Sequence, residues 1–186
     1  MIGYACCGSF CTLFRSLKQM EALAKKYPLF PIVSPAVATT DTRFGKAEDF
    51  LALMEAISGR APLTTIAEAE PLGPAIPLEA LIIAPCTGNT LAKMANGITD
   101  TSVTMASKAH LRNGRPLIIA LASNDALSAN LRNIGTLLER KNIFFVPLGQ
   151  DDPATKPHSM VCDFARIEET LEAALEGRQL QPLLRR

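Results

Sequence analysis

The stretch Leu81-Ile82-Ile83-Ala84-Pro85-Cys86-Thr87-Gly88-Asn89-Thr90-Leu91-Ala92-Lys93-Met94-Ala95 decides the architecture of this chain. It opens on four apolar residues with no polar alternation, the pattern of a strand buried on both faces. A short polar turn follows, and helical spacing takes over from Thr90 through Ala95. A buried strand handing over to a helix through a polar turn is the repeating unit of a parallel sheet with helices on its faces.

The same unit recurs on either side. Short runs rich in Ile, Leu, Val and Ala lie at Ile2–Cys7, Leu29–Val33, Leu117–Ala122 and Ile143–Pro147. Helical periods separate them. Phe10, Leu13, Phe14, Leu17 and Met20 recur up to about Lys25, and Ala47–Ser58 puts Phe50, Leu51, Met54 and Ile57 on one face. Thr101–His110 follows, then roughly Ser128–Arg140 with Leu131, Ile134, Leu137 and Leu138 inward. A last helix spans about Ile167–Glu176, with Gly177 as its C-terminal stop. Right-handed crossovers between such strands predict an α/β fold: a three-layer, doubly wound parallel sheet, Rossmann- or flavodoxin-like.

Length and composition fit a single domain over 1–186, since 186 residues fall within the usual ~100–200. Lys plus Arg is 19 against 18 for Asp plus Glu, so the charge of +1 lacks the basic surplus of a nucleic-acid binder. Trp is absent and aromatics are 5%, which predicts an aliphatic core. No run of ~18 apolar residues occurs to span a membrane. Met1–Leu17 has no basic start and is interrupted by Gly8-Ser9, unlike a secretory signal. Five cysteines, an odd number with no Cys-x-x-Cys, and two histidines argue against a disulfide scaffold or a structural zinc. The expectation is a soluble, cytoplasmic protein without a metal. Ala67–Pro77, with Pro71, Pro74, Pro77 and Gly73, reads as irregular, and Gly149–Pro157 as a polar loop.

Ligands of doubly wound sheets sit beyond the carboxyl ends of the strands. The first strand exits through Gly8-Ser9-Phe10, where Gly lets a phosphate approach the backbone and Ser adds a hydroxyl at a helix N-terminus. It is neither Gly-x-Gly-x-x-Gly nor a Walker A loop, so a mononucleotide such as FMN fits better than NAD or ATP. A simple helix cap by Ser9 or Thr12 is the competing reading. Thr87, Gly88, Asn89 and Thr90 crowd hydrogen-bonding groups at the third exit, where an ordinary cap cluster is again the alternative. Ser123, Asn124 and Asp125 leave the fourth strand in what is usually a turn.

Other chemistry-bearing residues divide more simply. Cys6, Cys7 and Cys86 read as small packing residues. Cys11 and Cys86, near helix N-termini, are the thiols that alkylation should reach first. His110, near Arg112 and Arg115, reads as structural or surface, and His158 as an exposed loop residue. Arg43 lies on the site side and could hold a carboxylate bidentately; a surface ion pair is the commoner fate of such a residue. Lys93 and Lys108 read as solvated or at a subunit contact.

Several strings carry a resemblance. Pro85–Thr90 and the following Leu91–Asp100 resemble the Pro-Ala-Ser-Ala-Asn-Thr motif of the homo-oligomeric flavin-containing cysteine decarboxylases, relatives of the flavin prenyltransferases. Pro85, Asn89 and Thr90 match it; Cys86, Thr87 and Gly88 are small substitutions. Gly8-Ser9 resembles that family's phosphate loop, and Ala122–Asn124 falls where it carries Pro-x-Met-Asn. Thr42–Gly45, Ala69–Pro74, Ser123–Leu127, Lys141–Phe145, Phe145–Pro153 and Lys156–Met160 are similar, in order and spacing, to the family of dipicolinate synthase B subunits.

The resemblance implies FMN held by Gly8, Ser9, Phe10, Ser34, Pro85, Thr87, Gly88, Asn89, Thr90, Ser123 and Asn124, with Arg43 for a substrate carboxylate. It implies an oxidoreductase of sporulation, in the mother cell, making dipicolinic acid from a tetrahydrodipicolinate precursor. The dehydrogenase-like A subunit of dipicolinate synthase would be the partner, NAD(P) entering only through it. A homo-oligomer, a trimer or a multiple of one, is implied as well. The chain departs from the decarboxylases in having no His in Ser34–Ala80, where they use one, and in having Asp125-Ala126-Leu127 after Asn124. Two alternatives stand beside the main reading. One is a non-catalytic flavin-fold partner that organises the A subunit; the other is a flavin-dependent decarboxylase or prenyltransferase relative. No general base is identified.

Overall fold

Each unbroken apolar run forms a strand of one sheet. The computed structural model describes residues 1–73 and 75–185; Pro74, one of the prolines of the irregular stretch, and Arg186 lie outside them. The elements are β1 Ile2–Cys6, α1 Phe10–Ala24, β2 Leu29–Val33, α2 Pro35–Thr39, α3 Ala47–Ser58 and α4 Ile66–Ala69. They continue with β3 Ala80–Cys86, α5 Gly88–Ala95, α6 Ser102–Leu111, β4 Leu117–Ser123, α7 Leu131–Leu138 and β5 Ile143–Phe145. Then come β6 Leu148–Gly149, β7 Met160–Cys162, a 3-10 turn Phe164–Arg166 and α8 Ile167–Leu175.

The order β2-β1-β3-β4-β5 is parallel throughout. α1 and α8 pack together on one face and α5, α6 and α7 on the other, while α3 lies against α1 and the edge strand β2. This is the mostly parallel, helix-flanked α/β sheet expected of the sequence. β1, β3 and β4 are buried at every residue, which is why they alternate nothing. The core is aliphatic, with Tyr4, Phe50, Phe145 and Phe164 as its largest members. Tyr4 escapes an unpaired hydroxyl by donating to the Ser16 carbonyl at 2.8 Å.

Four local expectations are corrected. The sheet has a β6–β7 hairpin that no periodicity announces: β7 runs antiparallel to Ala122 and Ser123 of β4, and β6 to β7. The polar loop Gly149–Pro157 supplies most of its connection, which runs over residues 150–159. α7 begins at Leu131 rather than Ser128, because the Asp125 carbonyl accepts the amides of Ser128 and Asn130 in turns. Leu131 and Leu138 are not inward: they are 52% and 38% exposed, while Ile134 and Leu137 are buried. Finally, Ile66–Ala69 makes a helical turn inside the proline-rich stretch. Thr65 accepts from Glu68 N–H while the Glu68 carboxylate accepts from Thr65 N–H at 3.0 Å.

The open border of β5 is closed by a side chain. The Gln179 amide accepts from Phe145 N–H at 2.8 Å and donates to the Phe145 carbonyl at 2.7 Å. Beyond it, Leu148 N–H donates to the Leu183 carbonyl at 2.8 Å, and Arg185 N–H to the Leu148 carbonyl at 2.7 Å.

Candidate functional site

From β1 the chain crosses in one direction to β2 and then returns past β1 to β3. Adjacent crossovers therefore part at the β1–β3 boundary and leave a crevice above the carboxyl ends of the strands. A cleft of about 890 Å³ opens there. Gly8, Ser9, Phe10, Thr87, Gly88, Asn89, Ser123, Asn124 and Arg43 line it; Ser34, Pro85 and Thr90 do not.

On the β1 side, Ser9 starts α1 without a side-chain cap: its hydroxyl oxygen accepts from Thr12 Oγ1 at 2.9 Å instead. The first turn of α1 contains no acidic residue, so its upward amides keep their positive character for a ligand. A Cβ on Gly8 would stand 3.1 Å from Ala36 Cβ, so glycine keeps this turn low. Ser34 follows β2 next to that turn, its amide donating to the Cys6 carbonyl at 2.9 Å. The Ser34 hydroxyl is buried and has no hydrogen-bond partner, alone in this among the described residues. A buried hydroxyl left unpaired costs about 1–3 kcal/mol. A small anion held at the α1 terminus within reach of Ser34 would remove that cost, so the donors of Ser9, Ser34 and the α1 terminus suit a phosphate group.

On the β3 side the hydroxyls divide their work. Thr87 caps α5, its oxygen accepting from Thr90 N–H at 3.3 Å. Thr90 turns inward and donates to Cys7 Sγ at 3.3 Å. Pro85 is buried in β3, and its carbonyl accepts Cys7 N–H at 3.0 Å. Asn89 is exposed at the mouth, with its amide free of protein partners among the described residues.

At the end of β4 lies a polar network that sequence reading missed beyond its first turn. Ser123 Oγ donates to Asp125 Oδ1; Asn130 Nδ2 donates to Asp125 Oδ2 at 2.9 Å. Asn133 Nδ2 donates to Asn130 Oδ1 at 2.9 Å. Gly88 sits flush against it: a Cβ there would meet Ser123 Oγ at 2.5 Å, Asn130 Nδ2 at 2.6 Å and Asp125 Oδ1 at 2.8 Å. Asn133 carries a signal in hindsight, an amide among the buried positions of an amphipathic helix.

Charges complete the lining. Arg15 of α1 stacks 5.1 Å above the Phe164 ring, and Arg43 stacks 4.9 Å above Phe44. Neither pairs with a carboxylate among the described residues. Lys156 and His158 reach the cleft from the β6–β7 connection, with Lys156 Nζ 3.7 Å from Asp151. Arg15 escaped the sequence reading because it lies inside a helix, beyond the strand-exit loop.

Of the thiols, Cys11 is exposed and lines the cleft. Cys86 is corrected as an alkylation target: it is fully buried, and burial pushes its thiol well up. Burial likewise raises Cys6 and Cys162, and raises Cys7 to about 11 against the opposing Thr90 and Thr87 hydrogen bonds. His110 is structural. It is buried, its Nε2–H donates to the Pro116 carbonyl at 2.9 Å, and burial holds it below the ordinary histidine range. Arg115, at the opposite end of the sheet, donates to the Leu78 carbonyl at 2.6 Å. No helix among the described residues is long and apolar enough to cross a membrane.

Comparison with known proteins gives concordant findings. Residues 61–176 match the family model described as Flavoprotein. The B subunit of dipicolinate synthase from Bacillus subtilis (strain 168) is 44% identical over 184 residues, covering 98% of this chain and 92% of that protein. The crystal structure of the dipicolinate synthase B subunit from Bacillus halodurans matches with a TM-score of 0.91 at 42% identity, over 100% of this chain and 95% of that one. The FMN-dependent cysteine decarboxylase SpaF shares the fold, with a TM-score of 0.66 at 24% identity over 94% of each chain.

Proposed function

This chain belongs to the flavoprotein family, among the B subunits of dipicolinate synthase, and from that premise we propose that it is the FMN-binding subunit of an oxidoreductase that aromatises a ring dicarboxylate. The observation that carries the cofactor assignment is the buried, unpartnered hydroxyl of Ser34 beside the Gly8-Ser9 turn. Ser9 and Ser34 donate to the flavin phosphate, with the α1 terminus supplying further donors. Gly8 and Gly88 keep the two turns low enough for a flat ring to approach. Asn89 and Asn124 orient the ring system, each amide offering both donor and acceptor. FMN, when bound, supplies the acceptor for hydrogen removed from the substrate ring. Arg43 holds a substrate carboxylate through its free N–H groups, its guanidinium lying over the Phe44 ring.

The product is dipicolinic acid, formed from a tetrahydrodipicolinate precursor in the mother-cell cytoplasm of a sporulating bacterium. The word "subunit" in the names of the relatives supports a companion chain, the dehydrogenase-like A subunit through which NAD(P) enters. Exposed apolar residues such as Phe14, 55% exposed beside the Phe50 ring, support assembly into a homo-oligomer.

FMN titration followed by flavin fluorescence tests the cofactor assignment. Ser9→Asp puts a negative charge against the phosphate and should abolish binding while the far-ultraviolet dichroism stays native. Ser34→Ala should weaken it about tenfold, the worth of one hydrogen bond to a charged group. Unchanged affinity in both variants overturns the placement. Reconstitution with the dehydrogenase-like partner, in the presence and absence of FMN, tests the catalytic part. Product formed by that partner on its own at the rate of the pair would remove this chain from the chemistry.

A further inference from the structure

The cleft is lined by three basic side chains, Arg15, Arg43 and Lys156, and two acidic ones, Asp125 and Asp151. Both carboxylates are engaged: Asp125 by Ser123 and Asn130, and Asp151 by Lys156. What is left is two guanidinium groups without an anion among the described residues. Each guanidinium carbon lies over a phenylalanine ring, at 5.1 Å for Arg15 and 4.9 Å for Arg43, and both residues are exposed, so their N–H groups are available to a planar anion.

The two come from different elements, Arg15 from α1 itself and Arg43 from the segment between α2 and α3. Arg43 belongs to the segment before α3, next to edge strand β2. Arg15 rests on Phe164, immediately beyond β7. Lys156 and His158 line the same cleft, carried by the hairpin connection. That connection is anchored, since Leu127 N–H donates to the His158 carbonyl at 3.0 Å and Gln150 Nε2 to the Pro157 carbonyl at 2.9 Å.

We infer that Arg15 is a specificity-determining residue: it takes the second carboxylate of a ring dicarboxylate whose first carboxylate is held by Arg43, with Lys156 and His158 flanking it. The inference rests on the reading above that FMN and a ring dicarboxylate share this cleft. Two guanidinia that line one cleft without a carboxylate partner among the described residues offer a partner to each of two carboxylates on one ring, and a monocarboxylate would satisfy only one of them. Leaving a charged donor unpaired is what separates the two ligands.

The test is binding of pyridine-2,6-dicarboxylate and pyridine-2-carboxylate to the full chain loaded with FMN, by calorimetry, for wild type, Arg15→Gln and Arg15→Lys. Wild type should prefer the dicarboxylate by about tenfold or more, the worth of one charge-assisted pair. In Arg15→Gln that ratio should fall toward one, with FMN affinity unchanged; Arg15→Lys should restore part of it. A dicarboxylate preference that survives Arg15→Gln overturns the inference. So does a loss of FMN affinity in that variant, which would assign Arg15 to the flavin phosphate. Wild-type protein that binds no FMN would instead strike at the cofactor reading itself, a separate failure.

Discussion

On the edge away from β3, strand β4 meets two different neighbours along its length. Leu117–Ile119 pair in parallel with β5, whereas Ala122 and Ser123 pair antiparallel with β7. The first half lies in the layered interior, where packing is dense on both faces. The second half opens on the cleft, where a hairpin of two- and three-residue strands closes one side. The difference teaches a division of labour. Burial along the strands stabilises the chain, and the thinner border beside the hairpin is left free to carry polar groups and charges.

The most forceful way to break that comparison is to cut equivalent holes in its two sides. Ile82, fully buried in β3 between β1 and β4, should cost about 4 kcal/mol as Ile82→Ala. Val161 of β7 is only partly buried, and Val161→Ala should cost less than about 1 kcal/mol. Urea unfolding measures both. Equal losses would make the hairpin as integral as the central sheet.

A finer contrast uses the glycines. Gly88→Ala drives a methyl into Ser123, Asn130 and Asp125 and should cost about 1–3 kcal/mol and weaken FMN binding. Gly149→Ala in β6 meets nothing nearer than Arg185 Cβ at 3.6 Å and should stay within about 0.5 kcal/mol of wild type. Similar melting temperatures for the two variants would dissolve the distinction.

The smallest effect comes from His110, at the entrance to β4. Burial favours its neutral form, so the folded value lies below the unfolded one of about 6.5. The unfolded chain then binds the proton first as pH drops. Its stabilising contribution is complete above about pH 6.5 and is lost as pH falls through the folded value. In His110→Gln, which keeps a donor for the Pro116 carbonyl, melting temperature should depend less on pH between about 7 and 5. An unchanged acid slope would assign the loss to other groups.

The same division governs how much was legible. β1 to β5 could be read because parallel strands buried on both faces are written as continuous apolar runs. That the exits of β1, β3 and β4 line one cleft could be read, because doubly wound sheets leave a crevice at those positions. The β6–β7 hairpin could not, since strands of two and three residues are too short for any period to register. Arg15 occupies an exposed position of an amphipathic helix, where arginine is unremarkable until Phe164 is brought beneath it. Asn130 and Asn133 gain meaning only when α5 brings Gly88 against them. Cys86 is the packing residue that its small size suggests, but not the accessible thiol that its place near a helix start suggests, because that place says nothing of depth.

The Gln179 amide on Phe145 has a consequence for the border of the sheet. An outermost strand with bare N–H and C=O groups is a template on which further chains can stack into fibres. Here a single carboxamide occupies both groups, the way a hem finishes a cut cloth. Shortening the polypeptide ahead of Gln179 would turn that finished border into an adhesive one, a matter of solubility and shelf life.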